Sequence, residues 1–226
     1  IDYSYNENDK LGGHDPYSAS KACSEIITKS FRESFFENKE KQISISTIRA
    51  GNVIGGGDWA DNRLIPDCMR QLDKKQKVII RNPKSIRPWQ HVFEPISGML
   101  LLAFHMKKNP SKFNESWNIG PIFTNITVKE IVEKIIKKLE HGEWDKSNEF
   151  KNVHESNILK LDSTKIQNNL NYLQRLTLDE TIDYTVNWYK KFSEKQNMFN
   201  FSIQQIENYL AKASLLNVKW IQEYNV

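Results

Sequence analysis

The sequence is short of cysteine, glycine and long apolar runs, and each shortage removes a class of answer. Two cysteines, Cys23 and Cys68, in 226 residues cannot build a disulfide framework, and neither has a partner at zinc-site spacing. No metal is therefore expected, and thiol usage of this kind fits the cytoplasm. With nine glycines, no G-x-G-x-x-G turn can be written. The one glycine cluster, Gly55-Gly56-Gly57, lacks that spacing. The longest clean apolar run, residues 99–104, is far too short to span a bilayer. Charge of one sign is also scarce. The 32 basic and 28 acidic groups leave a net charge of +4, spread along the chain, which argues against nucleic acid but could suit an anionic small molecule. There is no internal repeat and no low-complexity linker.

What remains reads as a soluble globular α/β chain, 38% hydrophobic and 27% charged. Asp15-Pro16 marks a helix start, with an acidic N-cap and proline in the first turn. Cys23, Ile27, Phe31 and Phe35 then recur every four residues along an amphipathic helix of about five turns. Residues 43–48 alternate β-branched side chains with serine and predict a strand. The glycine-rich segment that follows predicts a loop. A helix is expected from Pro66 to about Lys75, and a strand over 77–81. Residues 94–108 are apolar nearly all round and predict a buried helix. A short buried strand is expected over 117–120. Thr127 with Glu130, and Thr177 with Glu180, form capping boxes ahead of apolar-periodic helices, and a last helical stretch lies near 206–210.

The sharpest chemical signal is Tyr17-Ser18-Ala19-Ser20-Lys21. A tyrosine and a lysine four apart share one helix face. An ammonium beside a phenol stabilises the phenolate, which can take a proton from an alcohol while hydride leaves the same carbon. Alone, Y-x-x-x-K is weak, and an ordinary solvated pair explains it as well. Its neighbours add weight. Arg49-Ala50-Gly51-Asn52-Val53-Ile54-Gly55 follows the predicted strand, and Arg87-Pro88-Trp89-Gln90-His91 comes later. This order resembles the extended short-chain dehydrogenase/reductase family, and in particular its CDP-glucose 4,6-dehydratase branch. The likeness runs to about residue 210. Its most distinctive pieces are Gly55-Gly56-Gly57-Asp58-Trp59 and the Arg87 segment.

The resemblance implies the terminal part of a doubly wound parallel (Rossmann-like) sheet plus a smaller sugar-nucleotide-binding domain. Residues 1–60 would end the NAD domain, 61–192 would mainly hold substrate with 85–120 returning to the Rossmann-like part, and 193–226 would form a helical tail. It implies an NAD-dependent hydro-lyase that converts CDP-glucose to CDP-4-keto-6-deoxyglucose by C4 oxidation, loss of water across C5–C6 and hydride return to C6. Tyr17 and Lys21 would serve catalysis and hold the cofactor. Asn52, Arg63, Arg81 and Arg87 would bind the nucleotide sugar, with Arg87 the best match to the diphosphate. His154 and Glu155 are weaker nucleotide contacts. Trp59 and Trp89 are expected as core or loop anchors, and His91 as a structural histidine. A homo-oligomer is implied for the full-length protein.

Two departures predict that the chain is an incomplete piece of such an enzyme, with negligible NAD binding and no dehydratase activity on its own. The glycine-rich dinucleotide loop is missing, and the one nearby candidate for the family's upstream acid/base position, Asp2, lies too close to Tyr17. A third departure, at 170–174, replaces the family's usual Gly-Trp and proline and is read as surface variation. The rival readings are another nucleotide-sugar epimerase or dehydratase, and a non-catalytic nucleotide-sugar-binding remnant.

Overall fold

A computed structural model describes residues 3–36, 43–122, 125–147 and 157–216. Helix α1 (Pro16–Phe31) starts where the sequence places it. Asp15 accepts the Ser18 N–H at 2.9 Å and Pro16 sits in the first turn. A π turn, Arg32–Phe36, closes it. Its apolar stripe is not covered in this structure: no residue of α1 is buried, and Ile27, Phe31 and Phe35 are all exposed.

Strand β1 (Thr47–Ala50) begins four residues later than the β-branched pattern suggests. The Ser44 hydroxyl and the Ile45 N–H bond the Asn114 side chain, and Ser46 bonds the Phe113 carbonyl, so the backbone there is held outside a ladder. The ladder starts at Thr47, opposite Ser116 of β5 (Ser116–Ile119). The expected glycine loop contains a second strand, β2 (Asn52–Ile54), which pairs with β4 (Trp89–His91). A third pair joins β3 (Val78–Ile80) to β6 (Trp144–Lys146), and all three pairs are parallel. The class is α/β, as the sequence predicts.

Helix α2 (Leu64–Asp73) starts two residues before Pro66. Proline is tolerated throughout a first turn, because those N–H groups have no intrahelical acceptor. Helix α3 (Phe93–Lys108) is buried on one side only: Leu101 and Leu102 are buried, whereas Ile96, Met99 and Leu100 are exposed. Both capping boxes form as read. They open α4 (Val128–Leu139) and α6 (Leu178–Ser193). Helices α5 (Thr164–Leu170) and α7 (Met198–Leu215) complete the chain.

Two cores result. One gathers α2, β3, α4 and α6 around Leu72, Ile80, Ile135 and Val186. The other gathers α3, β5 and α5 around Leu102, Trp117, Ile119 and Ile166. Burying side chains of this size contributes about 1.5–3 kcal/mol each.

The segment at 170–174 is not surface variation. Asn171 caps α5 in the left-handed region at φ 53°, a conformation asparagine tolerates where glycine is usual. Tyr172 is 1% exposed, and its hydroxyl reaches Glu94 at 3.3 Å. Glu94 is itself fully buried. It accepts the Arg175 and Leu176 N–H groups at 3.0 and 2.8 Å and lies 3.3 Å from the Tyr209 hydroxyl. It thus ties α3 to α7. Burial raises its pKa above the ordinary 4.5 despite the backbone donors. A raised folded-state carboxyl stabilises below its unfolded pKa, and that contribution is lost as pH rises through the folded value. Glu94→Gln keeps an acceptor for both N–H groups and removes the titration. The stability of wild type relative to Glu94→Gln should therefore decline as pH rises above about 4.5. Urea midpoints across pH check this, and a difference that is flat or grows with pH contradicts it.

Candidate functional site

One cleft of about 750 Å³ runs between the C-terminal side of β2, the start of α2 and the end of β3. That volume lies within the range of small-molecule pockets. Tyr17, Asn52, Arg63, Arg81 and Arg87, singled out from the sequence, all line it. They come from five separate stretches of chain, so their meeting is a product of the fold.

Tyr17 sits in the first turn of α1 and is 71% exposed, with its ring at the cleft edge. Lys21 follows one turn on. Its Nζ lies 5.5 Å from the centroid of the Tyr17 ring, though Lys21 itself does not line the cleft. Asn52 is on β2 rather than on a loop. Its N–H donates to the Pro88 carbonyl at 2.8 Å. Gly51 allows this approach, because a Cβ there would lie 2.4 Å from the Pro88 oxygen.

Arg87 is 8% exposed, with Nη1 donating to the Ile86 carbonyl at 2.8 Å. Its backbone N–H donates to the Ile126 carbonyl, just ahead of α4. Arg81 leaves the end of β3 and donates through Nη2 to Asn62 Oδ1 at 2.8 Å. Arg63 is the N-cap of α2, extended at φ −109°, and supplies no side-chain cap. The cleft wall therefore includes a helix N-terminus, whose partial positive charge adds to three guanidinium groups.

Two side chains near the cleft are chemically quiet. Burial pushes the Cys68 thiol up to about 12, so no thiolate forms near neutral pH. Burial lowers His91 to about 3, leaving a neutral ring between Phe93 and Tyr184 and no cation for acid catalysis. Trp89 is buried and Trp59 half-exposed against Tyr189 and Phe192. His154, Glu155 and Asp2 lie outside the described residues.

Sequence reasoning did not single out Asp58, Asn62 or Arg70. Asp58 and Asn62 line the cleft. Arg70 pins their loop from α2, donating to the Trp59 and Ala60 carbonyls at 2.8 and 3.3 Å. The available signal was the run of three glycines, since such a run permits close backbone approach. Among the described residues, no cluster of His, Cys, Asp or Glu is arranged to hold a metal, and no helix is long and apolar enough to cross a membrane.

Known proteins place this architecture. The chain is 42% identical over 214 residues to the CDP-glucose 4,6-dehydratase of Salmonella typhimurium, covering 92% of this chain and 59% of that protein. Its fold matches the Streptomyces venezuelae dTDP-glucose 4,6-dehydratase DesIV, solved with NAD and TYD bound, with a TM-score of 0.72 at 22% identity over 87% of this chain and 58% of that one. A Bacillus cereus UDP-glucuronic acid 4-epimerase in complex with NAD shares the fold at a TM-score of 0.67 and 17% identity, over 84% of this chain and 57% of the other. This chain thus spans a little under three fifths of the length of the dehydratases described above. The family model described as GDP-mannose 4,6 dehydratase matches residues 2–185, and the chain belongs to that family.

Proposed function

We propose that this protein acts on CDP-glucose and yields CDP-4-keto-6-deoxyglucose, with net loss of one water. The observation that carries the reading is the meeting of Tyr17, Asn52, Arg63, Arg81 and Arg87 in one cleft with the uncapped start of α2. The 42% identical relative named as a CDP-glucose 4,6-dehydratase supports the choice of nucleotide.

Three guanidinium groups and a helix N-terminus suit a diphosphate, because planar donor pairs match phosphate oxygens and the helix end favours an anion. Arg87, the most buried of the three, is the principal contact. Asn52, which lines the same cleft as Tyr17, orients the hexose. Tyr17 accepts the proton of the C4 hydroxyl, which is the role of a general base within reach of an alcohol. Lys21 holds positive charge beside the ring and fits the ribose next to the nicotinamide. NAD, when bound there, supplies the reversible two-electron acceptor for C4. The Tyr-Lys pair fits that end of the cofactor, whereas the 226 residues hold no G-x-G-x-x-G turn for its pyrophosphate.

The two cores support a division of labour. The α3, β5 and α5 core, together with α1 and β1, belongs to the cofactor side, and the α2, β3, α4 and α6 core to the substrate side. The cleft lies between Tyr17 of the first and Arg63 and Arg81 of the second.

Calorimetric titration tests the ligand class. The protein should bind CDP and CDP-glucose more tightly than free glucose or cytidine, because the diphosphate carries the charged contacts. Equal affinity for cytidine and CDP would remove the diphosphate from the cleft.

A further inference from the structure

The glycine-rich segment has no role in the proton chemistry above, yet it holds the closest side-chain approach to any glycine among the described residues. A Cβ on Gly56 would lie 1.9 Å from Trp188 Cγ, so the indole of α6 rests directly on the glycine backbone. Trp188 is fixed from the other side too. It stacks on Phe192 with ring centroids 5.6 Å apart at 11°, and its Nε1 donates to Ser202 Oγ of α7 at 3.0 Å.

The next residue of α6 completes the hold. Tyr189 is buried, meets Trp59 edge-on at 5.1 Å, and donates its hydroxyl to the Asp58 carbonyl at 2.6 Å. Burial pushes that phenol up to about 12, so it stays a neutral donor through the physiological range. Beyond Asp58 the chain turns through Asn62 at φ 61° into Arg63. Asp58, Asn62 and Arg63 all line the cleft, whereas Trp188 and Tyr189 do not.

We propose that Trp188 and Tyr189 are positioning residues for the nucleotide-sugar cleft: the aromatic face of α6 clamps residues 56–59 and so presets the wall that carries Asp58, Asn62 and Arg63. Glycine is needed at 56 because the indole occupies the space a side chain would take, and at 57 because φ is +80°. A wall ordered before binding loses less entropy when ligand arrives, so the clamp is read out as affinity. The claim rests on the reading of the cleft as the nucleotide-sugar site.

The test pairs hydrogen exchange with kinetics on the full-length enzyme that contains this chain, supplied with NAD. Tyr189→Phe keeps the ring and removes the donor. Exchange at the amides of residues 57–62 should rise while the centre of α6 stays protected. KM for CDP-glucose should rise about fivefold, the size expected for one lost neutral hydrogen bond, with kcat nearly unchanged, the pattern of lost uniform binding. Trp188→Ala should do the same more strongly, and Trp188→Phe should recover part of the loss. Unchanged exchange at 57–62, or raised exchange with unchanged KM, overturns the proposal. A fall in thermal stability with KM intact does so as well, because it marks a purely structural contact. If wild type binds no nucleotide sugar, the reading of the cleft fails instead, and the exchange arm still decides whether α6 holds the wall.

Discussion

Tyr17→Phe should lower C4 oxidation of CDP-glucose by at least about a hundredfold, within the range lost when a general base is removed. That corresponds to about 2.7 kcal/mol of transition-state stabilisation. The substitution is clean because of where the residue sits. Tyr17 is 71% exposed on a helix with no buried residue, so deleting its hydroxyl disturbs no packing. Unfolding should be unchanged, and binding of CDP-glucose should change little. Lys21→Met should also slow the reaction, since the ammonium 5.5 Å from the ring is then gone. Normal turnover by Tyr17→Phe, measured in single-turnover assays, would remove Tyr17 from the proton transfer.

Arg87→Ala should weaken CDP-glucose binding by about 2 kcal/mol or more, roughly thirtyfold, as expected for a buried contact to a charged group. Arg87 differs from Arg63 and Arg81 in being only 8% exposed, where water screens charge least. Removing a buried side chain also leaves space, so the alanine result needs a companion. Arg87→Lys retains charge but loses the planar donor pair, and it should recover only part of the affinity. Arg63→Ala and Arg81→Ala, at exposed positions, should each cost less. Calorimetry with CDP alone isolates the phosphate contribution. Unchanged affinity in Arg87→Ala would assign its guanidinium to structure.

Local rules carried the sequence reading where local chemistry decides the outcome. Asp15-Pro16 and the two threonine–glutamate boxes start helices because their hydrogen bonds close within four residues, so nothing distant can change them. The cleft residues were legible through motif order and family likeness rather than through spacing. Arg63 and Arg81 lie far from Tyr17 in sequence, and only the packing of α2 against β3 brings them to the same cleft. Failures came where tertiary partners override pattern. Residues 43–46 look like strand, but Asn114 and Phe113 offer them side-chain and carbonyl bonds in place of a ladder. Ile96, Met99 and Leu100 read as core because an apolar pattern reports the character of a helix, not what covers each face. Tyr172 looked incidental because its partner Glu94 lies 78 residues away. The Trp188–Gly56 contact was hidden for the same reason, although the glycine run marked one half of it.

The account stands or falls most directly on the product made from CDP-glucose. The full-length enzyme that contains this chain, NAD and CDP-glucose deuterated at C4 should be incubated together and the product examined by mass spectrometry and NMR. The prediction is a nucleotide sugar lighter by one water, with a ketone at C4 and the label moved to C6. A product of unchanged mass with C4 inverted would make the protein an epimerase, and unaltered CDP-glucose in the presence of NAD would contradict the proposed activity.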